Sequence, residues 1–186
     1  MFFKNKNEKI LSEVINSNYA VIYFKPDGTI IKANEVFLKT MGYSLEEIVG
    51  KHHSIFCEEK FAKTQEYKDG WDAVRAGETV TAEFQRVKKD GNLIFLRASY
   101  MPIIENGKVV EVVKLAQDIT KNRLKNLFFI GQVKAINKSN AVIEFDMNGN
   151  ILNANDNFLN TLGYKKDDIV GKHHSIFCEE NYKNSN

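Results

Sequence analysis

The chain predicts an α+β fold: a five-stranded antiparallel sheet with helices on one face, flanked by an N-terminal helix and a linker helix. Three observations carry that expectation. Apolar, β-favouring runs occur as a pair, then helical stretches, then a set of three, an order that suits an antiparallel sheet with segregated helices. Asp-Gly or Asn-Gly turn pairs punctuate the strands at Asp27-Gly28, Asp90-Gly91 and Asn106-Gly107. Finally, the first part of the pattern returns 121 residues later, with its last three strands missing.

The elements follow in order. AVIYFK is a short strand closed by Pro26-Asp27-Gly28, and TIIKAN is its hairpin partner. Asn34 suits an N-cap for the helix EVFLKTM, which Gly42 stops. Ser44 opens a second short helix with Glu47 three residues on, the spacing of a capping box, and Gly50 ends it. A longer helix over about 64–76 carries Tyr67, Trp71 and Val74 at helical spacing. TVTAEFQRV, NLIFLRASYMPII and KVVEVVKLAQDIT are the last three strands. Outside this block, about 4–16 presents Ile10, Leu11, Val14 and Ile15, and about 121–137 presents Leu124, Leu127, Phe128, Val133 and Ile136. Both read as helices with an apolar stripe that must cover something.

Residues 20–59 align with 141–180 without a gap, and 25 of the 40 positions are identical. The differences fall mainly at polar positions, as expected of a duplicated domain rather than a solenoid repeat. The decapeptide GKHHSIFCEE is identical in both copies and holds all four histidines and both cysteines. Residue 186 corresponds to Gln65, so the second copy lacks the long helix and three strands, and the chain is expected to be a fragment of a longer protein. The expected layout is a flanking helix at 1–19, a complete domain at 20–120, a linker helix at 121–139 and the N-terminal half of a second domain at 140–186.

Composition narrows the function. The 186 residues are 43% hydrophobic and 27% charged with a net charge of +2, an ordinary globular balance. No run of five like charges exists, so neither nucleic acid nor a membrane surface is an expected partner. No signal peptide and no stretch of about 18 apolar residues is present, which with two unpaired cysteines points to a reducing, cytoplasmic setting. Phosphate-binding G-x-x-x-x-G-K-[ST], G-x-S-x-G and H-E-x-x-H motifs are absent from the sequence, so sensing or binding is expected rather than catalysis.

The element order, the DG turns, GYSLEEIVGK, the KKDG hairpin and the closing QDIT together resemble a PAS domain. The likeness covers about 20–120 in full and 141–186 as the first half of a second domain. GKHHSIFC, GWDAVRAGE, FQRVKKDGNLIFLRASYMPI and VVKLAQDIT are similar to the PAS domains of soluble methyl-accepting chemotaxis transducers. The resemblance implies a cytosolic input region sensing redox, oxygen or a small ligand. It also implies a homodimer that reaches a chemotaxis histidine kinase and coupling protein through a downstream domain. The alternative is a cofactor-free dimerisation module of another signalling protein, such as a histidine kinase.

For the site, the resemblance puts the cofactor beside the GKHHSIFC segment. Haem b would need an axial ligand, for which His52 or His53 is chemically suited. FAD would use Trp71, which matches a helix tryptophan of flavin-binding aerotaxis PAS domains. His53 stands where light-oxygen-voltage domains carry their photoactive cysteine, and Ala116 where they carry a flavin-contacting glutamine, so photochemistry is not expected. Cofactor contact therefore involves Trp71, His52, His53 and Cys57, or no cofactor is bound at all. Beside it stands a structural reading in which the histidines cap carbonyls at a helix end and Phe56, Cys57 and Trp71 are core. His53 and Cys57 with His174 and Cys178 would make a Cys2His2 set, but no C-x-x-C spacing supports a metal site. Asp118, Ile119 and Thr120 are the expected relay from the last strand into the linker helix, and equally an ordinary capped helix start.

Overall fold

The structure, a computed structural model, describes residues 2–179. The end of the second copy, from Glu180 on, lies outside the described residues. Two compact units are present, Met1–Arg123 and Leu124–Asn186.

In the first unit, α1 (Phe2–Asn18) leads into β1 (Ala20–Phe24) and β2 (Ile30–Ala33). Next come α2 (Glu35–Met41), α3 (Leu45–Ile48), a 3-10 turn at His53–Phe56, α4 (Glu59–Ala62) and α5 (Gln65–Arg75). The chain closes through β3 (Val80–Val87), β4 (Leu93–Glu105) and β5 (Lys108–Asp118) into α6 (Thr120–Ser139), a helix that runs on past the division between the units. All strand pairs are antiparallel, in the order β2-β1-β5-β4-β3. The last strand thus lies in the middle of the sheet, paired with β1 and β4.

Local chemistry sets these boundaries. Asn34 Oδ1 accepts the Phe37 N–H at 2.8 Å and starts α2, while its amide donates to the Tyr19 and Asn16 carbonyls and ties α2 to the end of α1. Gly42, at φ +79, ends α2 in the left-handed conformation that glycine tolerates. Glu47 accepts the Ser44 N–H at 2.8 Å, one half of the expected capping box. Thr64 caps α5 by accepting the Tyr67 N–H. The helix expected over 64–76 therefore has Thr64 and Ala76 as its caps.

Alternation places every second strand residue toward the helices. Ile22, Phe24, Leu96 and Val112 from the sheet meet Phe37, Ile48 and Phe56 from the helical side in one buried cluster. Each such side chain contributes about 1.5–3 kcal/mol by leaving water. One cross-sheet row is Ala20, Ala116, Ala98 and Ala82. These four small side chains take bulk away from the core face of the sheet.

The second unit repeats the early devices. β6 (Ile143–Phe145) pairs with β7 (Ile151–Ala154), followed by α7 (Asp156–Leu162), α8 (Lys166–Ile169) and a 3-10 turn at His174–Phe177. Asn155 caps α7 and donates to the Asn137 and Asn140 carbonyls, as Asn34 does in the first unit. Its buried cluster is small: Ile151, Ala154 and Ile169.

Candidate functional site

A cavity of about 220 Å³ opens between α5 and the outer half of the sheet in the first unit. Tyr67, Trp71 and Val74 on α5 form one wall, and Val80, Ala82, Phe84 and Arg86 on β3 form the other. His53, Phe61 and Tyr100 complete the lining, and exposed Glu66 and Ala82 stand at its rim.

His53, 1% exposed, is the centre of the polar chemistry. Its Nδ1 lies 2.9 Å from the Tyr67 hydroxyl and its Nε2 lies 2.9 Å from the Tyr100 hydroxyl. Arg86 Nη2 donates to the Tyr100 hydroxyl at 3.4 Å, which leaves that hydroxyl's own proton for His53 Nε2. The Nδ1–H then donates to Tyr67. Burial holds the imidazole well below its usual 6.5, and the Lys114 and Arg86 cations add to that effect. His53 is therefore the neutral form. Burial likewise pushes the Tyr67 hydroxyl and the Cys57 thiol up.

Two cations share this interior. Arg86 is 3% exposed and Lys114 1% exposed, and among the described residues neither makes an ion pair. Arg86 Nη1 donates to its neighbour's carbonyl, Gln85 O, at 2.8 Å, but Arg86 Nε has no partner among the described residues. Lys114 Nζ stands 4.7 Å from the centroid of the Tyr100 ring, its neighbour across β4 and β5. Burial lowers the affinity of Lys114 for its proton.

The sequence-derived site residues separate into three groups. His53 and Trp71 line the cavity. Trp71 also packs edge-on against Phe24 at 5.6 Å and His53 at 5.4 Å, so it is core and cavity wall at once. Cys57 lies behind His53, with Sγ 4.0 Å from Nδ1, and is outside the lining. His52 is exposed and outside the lining, its ring 6.2 Å from that of Trp71 and 6.4 Å from that of Tyr67. Its ring caps the start of the 3-10 turn by accepting the Ser54 N–H, instead of satisfying carbonyls at the end of α3. It also covers the β1–β2 turn, where a Cβ on Gly28 would come 2.6 Å from His52 Nε2. The same ring-over-glycine arrangement recurs at His173 and Gly149. His174, the counterpart of His53, is exposed.

As arranged, both ring nitrogens of His53 are hydrogen-bonded, and the cavity of about 220 Å³ lies below the roughly 300–1,000 Å³ usual for ligand pockets. Arg86, Lys114, Tyr67 and Tyr100 were not singled out as site residues by sequence reasoning. A legible signal existed for the cations: Arg86 keeps the period-two phase of Val80, Ala82 and Phe84, and Lys114 that of Val112 and Ala116.

The junction after β5 is hydrogen-bonded throughout. Asp118 Oδ1 accepts the Thr120 N–H at 2.8 Å, the Ile119 N–H donates to Phe95 O at 2.9 Å, and Thr120 Oγ1 accepts the Phe95 N–H at 2.9 Å. All three residues thus fix the start of α6, two of them through Phe95 of β4.

Known proteins share both sequence and fold. The chain is 36% identical over 170 residues to biofilm dispersion protein BdlA of Pseudomonas aeruginosa, covering 91% of this chain and 41% of that protein. It is 28% identical over 80 residues to the aerotaxis receptor of Escherichia coli, covering 43% of this chain and 16% of that protein. The chain thus spans about two fifths or less of the length of these curated relatives. Among solved structures, the PAS domain of a Colwellia psychrerythraea protein matches with a TM-score of 0.53 at 23% identity, over 61% of this chain and 97% of that one. An RNA-binding light-oxygen-voltage receptor matches with a TM-score of 0.57 at 20% identity, over 69% of this chain and 37% of that one. No described helix is long and apolar enough to cross a membrane. Residues 18–121 and 139–186 match the PAS domain family, and with the five-stranded sheet and its helices the chain belongs to that family.

Proposed function

We propose that the chain is a cytoplasmic sensory input region of a chemotaxis-type transducer, in which 20–120 is the sensing domain and 121–139 the linker. Its cavity takes a small ligand. The ligand state reaches α6 through Asp118, Ile119 and Thr120, and from there a chemotaxis histidine kinase and coupling protein through further parts of the receptor. The observation that carries this reading is continuity: β4 supplies Tyr100 to the cavity and Phe95 to the start of α6. A ligand biases that junction only by binding its two arrangements unequally. A non-enzymatic role agrees with kinship to the aerotaxis receptor and to a biofilm dispersion protein.

The unfolding temperature of the purified chain, screened against small metabolites, tests this. At least one compound should raise it, and Trp71→Ala should abolish the rise. A visible spectrum of the fresh protein checks for haem b and FAD in parallel. No hit together with a clear spectrum would overturn the sensor in favour of a cofactor-free dimerisation module.

A further inference from the structure

The cavity's chemistry identifies a ligand class, an inference that rests on the ligand-sensing reading above. We infer that the first copy binds a compact organic anion, a carboxylate with an apolar body of about benzoate size, held by Arg86. Three observations converge. Arg86 lines the cavity, is 3% exposed, and has an Nε with no partner among the described residues. A buried donor left unpaired is costly, and a buried charge more so. Lys114, 1% exposed, adds a second cation on the same core face without any acidic partner among the described residues. The remaining wall is Trp71, Tyr67, Phe84, Val74 and Val80, an apolar and largely aromatic surface suited to a flat hydrocarbon body.

Geometry specifies how the anion docks. Nη1 is committed to Gln85 O at 2.8 Å, whereas Nη2 reaches the Tyr100 hydroxyl only at 3.4 Å. The Nε–Nη2 edge thus keeps unused donor capacity, and a carboxylate that reaches it side-on would be held through two parallel hydrogen bonds. Ring faces near the cations, Phe84 at 4.7 Å from Arg86 and Tyr100 at 4.7 Å from Lys114, soften the charge without neutralising it. Glu66, the only acidic residue in the lining, is exposed at the rim, where water screens it. The volume of about 220 Å³ selects for a small body.

Isothermal titration of the whole chain with benzoate and with benzamide, its neutral isostere, tests the inference. Benzoate should bind at least tenfold more tightly than benzamide. Arg86→Gln should weaken benzoate at least tenfold, Arg86→Lys less, and Lys114→Met several-fold. Gly70→Leu should block both compounds, because Gly70 lines the cavity on α5 and a Cβ there meets nothing within 4 Å. Should Arg86→Gln fail to fold, the benzoate-to-benzamide ratio on the wild type decides alone. Equal binding of the two compounds, or benzoate binding indifferent to Arg86→Gln, overturns the anion class while leaving a ligand cavity in place. Binding of neither overturns this inference, and the metabolite screen then decides separately whether the domain senses any small molecule.

Discussion

At the scale of residues, His53 shows what burial does to a titratable group. Its folded form is neutral, because burial disfavours the charged form and a third cation would be raised beside Lys114 and Arg86, with only the Tyr67 and Tyr100 hydroxyls and the Cys57 thiol as polar contacts. A histidine depressed in the fold but free at about 6.5 when unfolded gives stability that falls as pH drops below that value, since only the unfolded chain then takes the proton. His53→Gln keeps hydrogen-bonding capacity but does not titrate. It should cost about 1–3 kcal/mol at neutral pH and flatten the loss of stability between about pH 6.5 and 5. Urea unfolding at several pH values checks this, and equal slopes for the two proteins would contradict it. The residue scale is also where the sequence was read least completely. His52 and Cys57 drew attention by their chemistry alone, yet a capping role and a place behind His53 follow from a 3-10 turn that side-chain types do not announce. Arg86 in the cavity wall and Lys114 in the core beside it are hard to read from sequence because a charged side chain is by default assigned to solvent.

At the scale of elements, hairpins and caps were legible because each follows from local chemistry: Asn34 and Thr64 at helix starts, Gly42 at a helix end, Asp-Gly and Asn-Gly at turns; the pairing of β5 with β1 in mid-sheet was not, because it joins residues far apart in the chain. The short α4 was not, because EKFA gives too few residues for any period to appear. Two elements await partners. Ile10, Leu11 and Val14 on α1 are exposed, and so are Leu124, Leu127, Phe128, Phe129, Ile130, Val133 and Ile136 on α6, with Phe128 at 65%. We expect these helices to form a homodimer contact, because so much exposed apolar surface on one element marks an interaction site. Lys at both Leu127 and Phe128 should convert a dimer to a monomer in light scattering while the first unit melts as before. A wild-type monomer at high concentration would contradict the contact, and a dimer indifferent to both changes would move it to α1. The start of α6 has its own test. Thr120→Ala leaves the Phe95 N–H unpaired and should cost about 1–3 kcal/mol, with faster amide exchange at Ile119 and Arg123. Unchanged exchange there would remove Thr120 from the relay.

At the scale of the whole molecule, the duplication separates what one decapeptide can do alone from what it does in a completed domain. His53 is buried between Tyr67 and Tyr100, whereas identical His174 is exposed. The identical decapeptides alone gave no hint of that difference, since burial of His53 depends on α5 and β4, far along the chain. Residues 20–120 should accordingly melt cooperatively when produced alone, and 140–186 alone should not. Circular dichroism of the two pieces checks this, and a cooperative melt from the second would contradict it. The central claim is that an occupied cavity in the first copy changes the start of α6. Amide hydrogen exchange of the full chain, free and saturated with benzoate, tests it most directly. The account predicts changed protection at Ile119 and Arg123 as well as along α5 and β3. Changes confined to α5 and β3, with Ile119 and Arg123 unaltered, would contradict it.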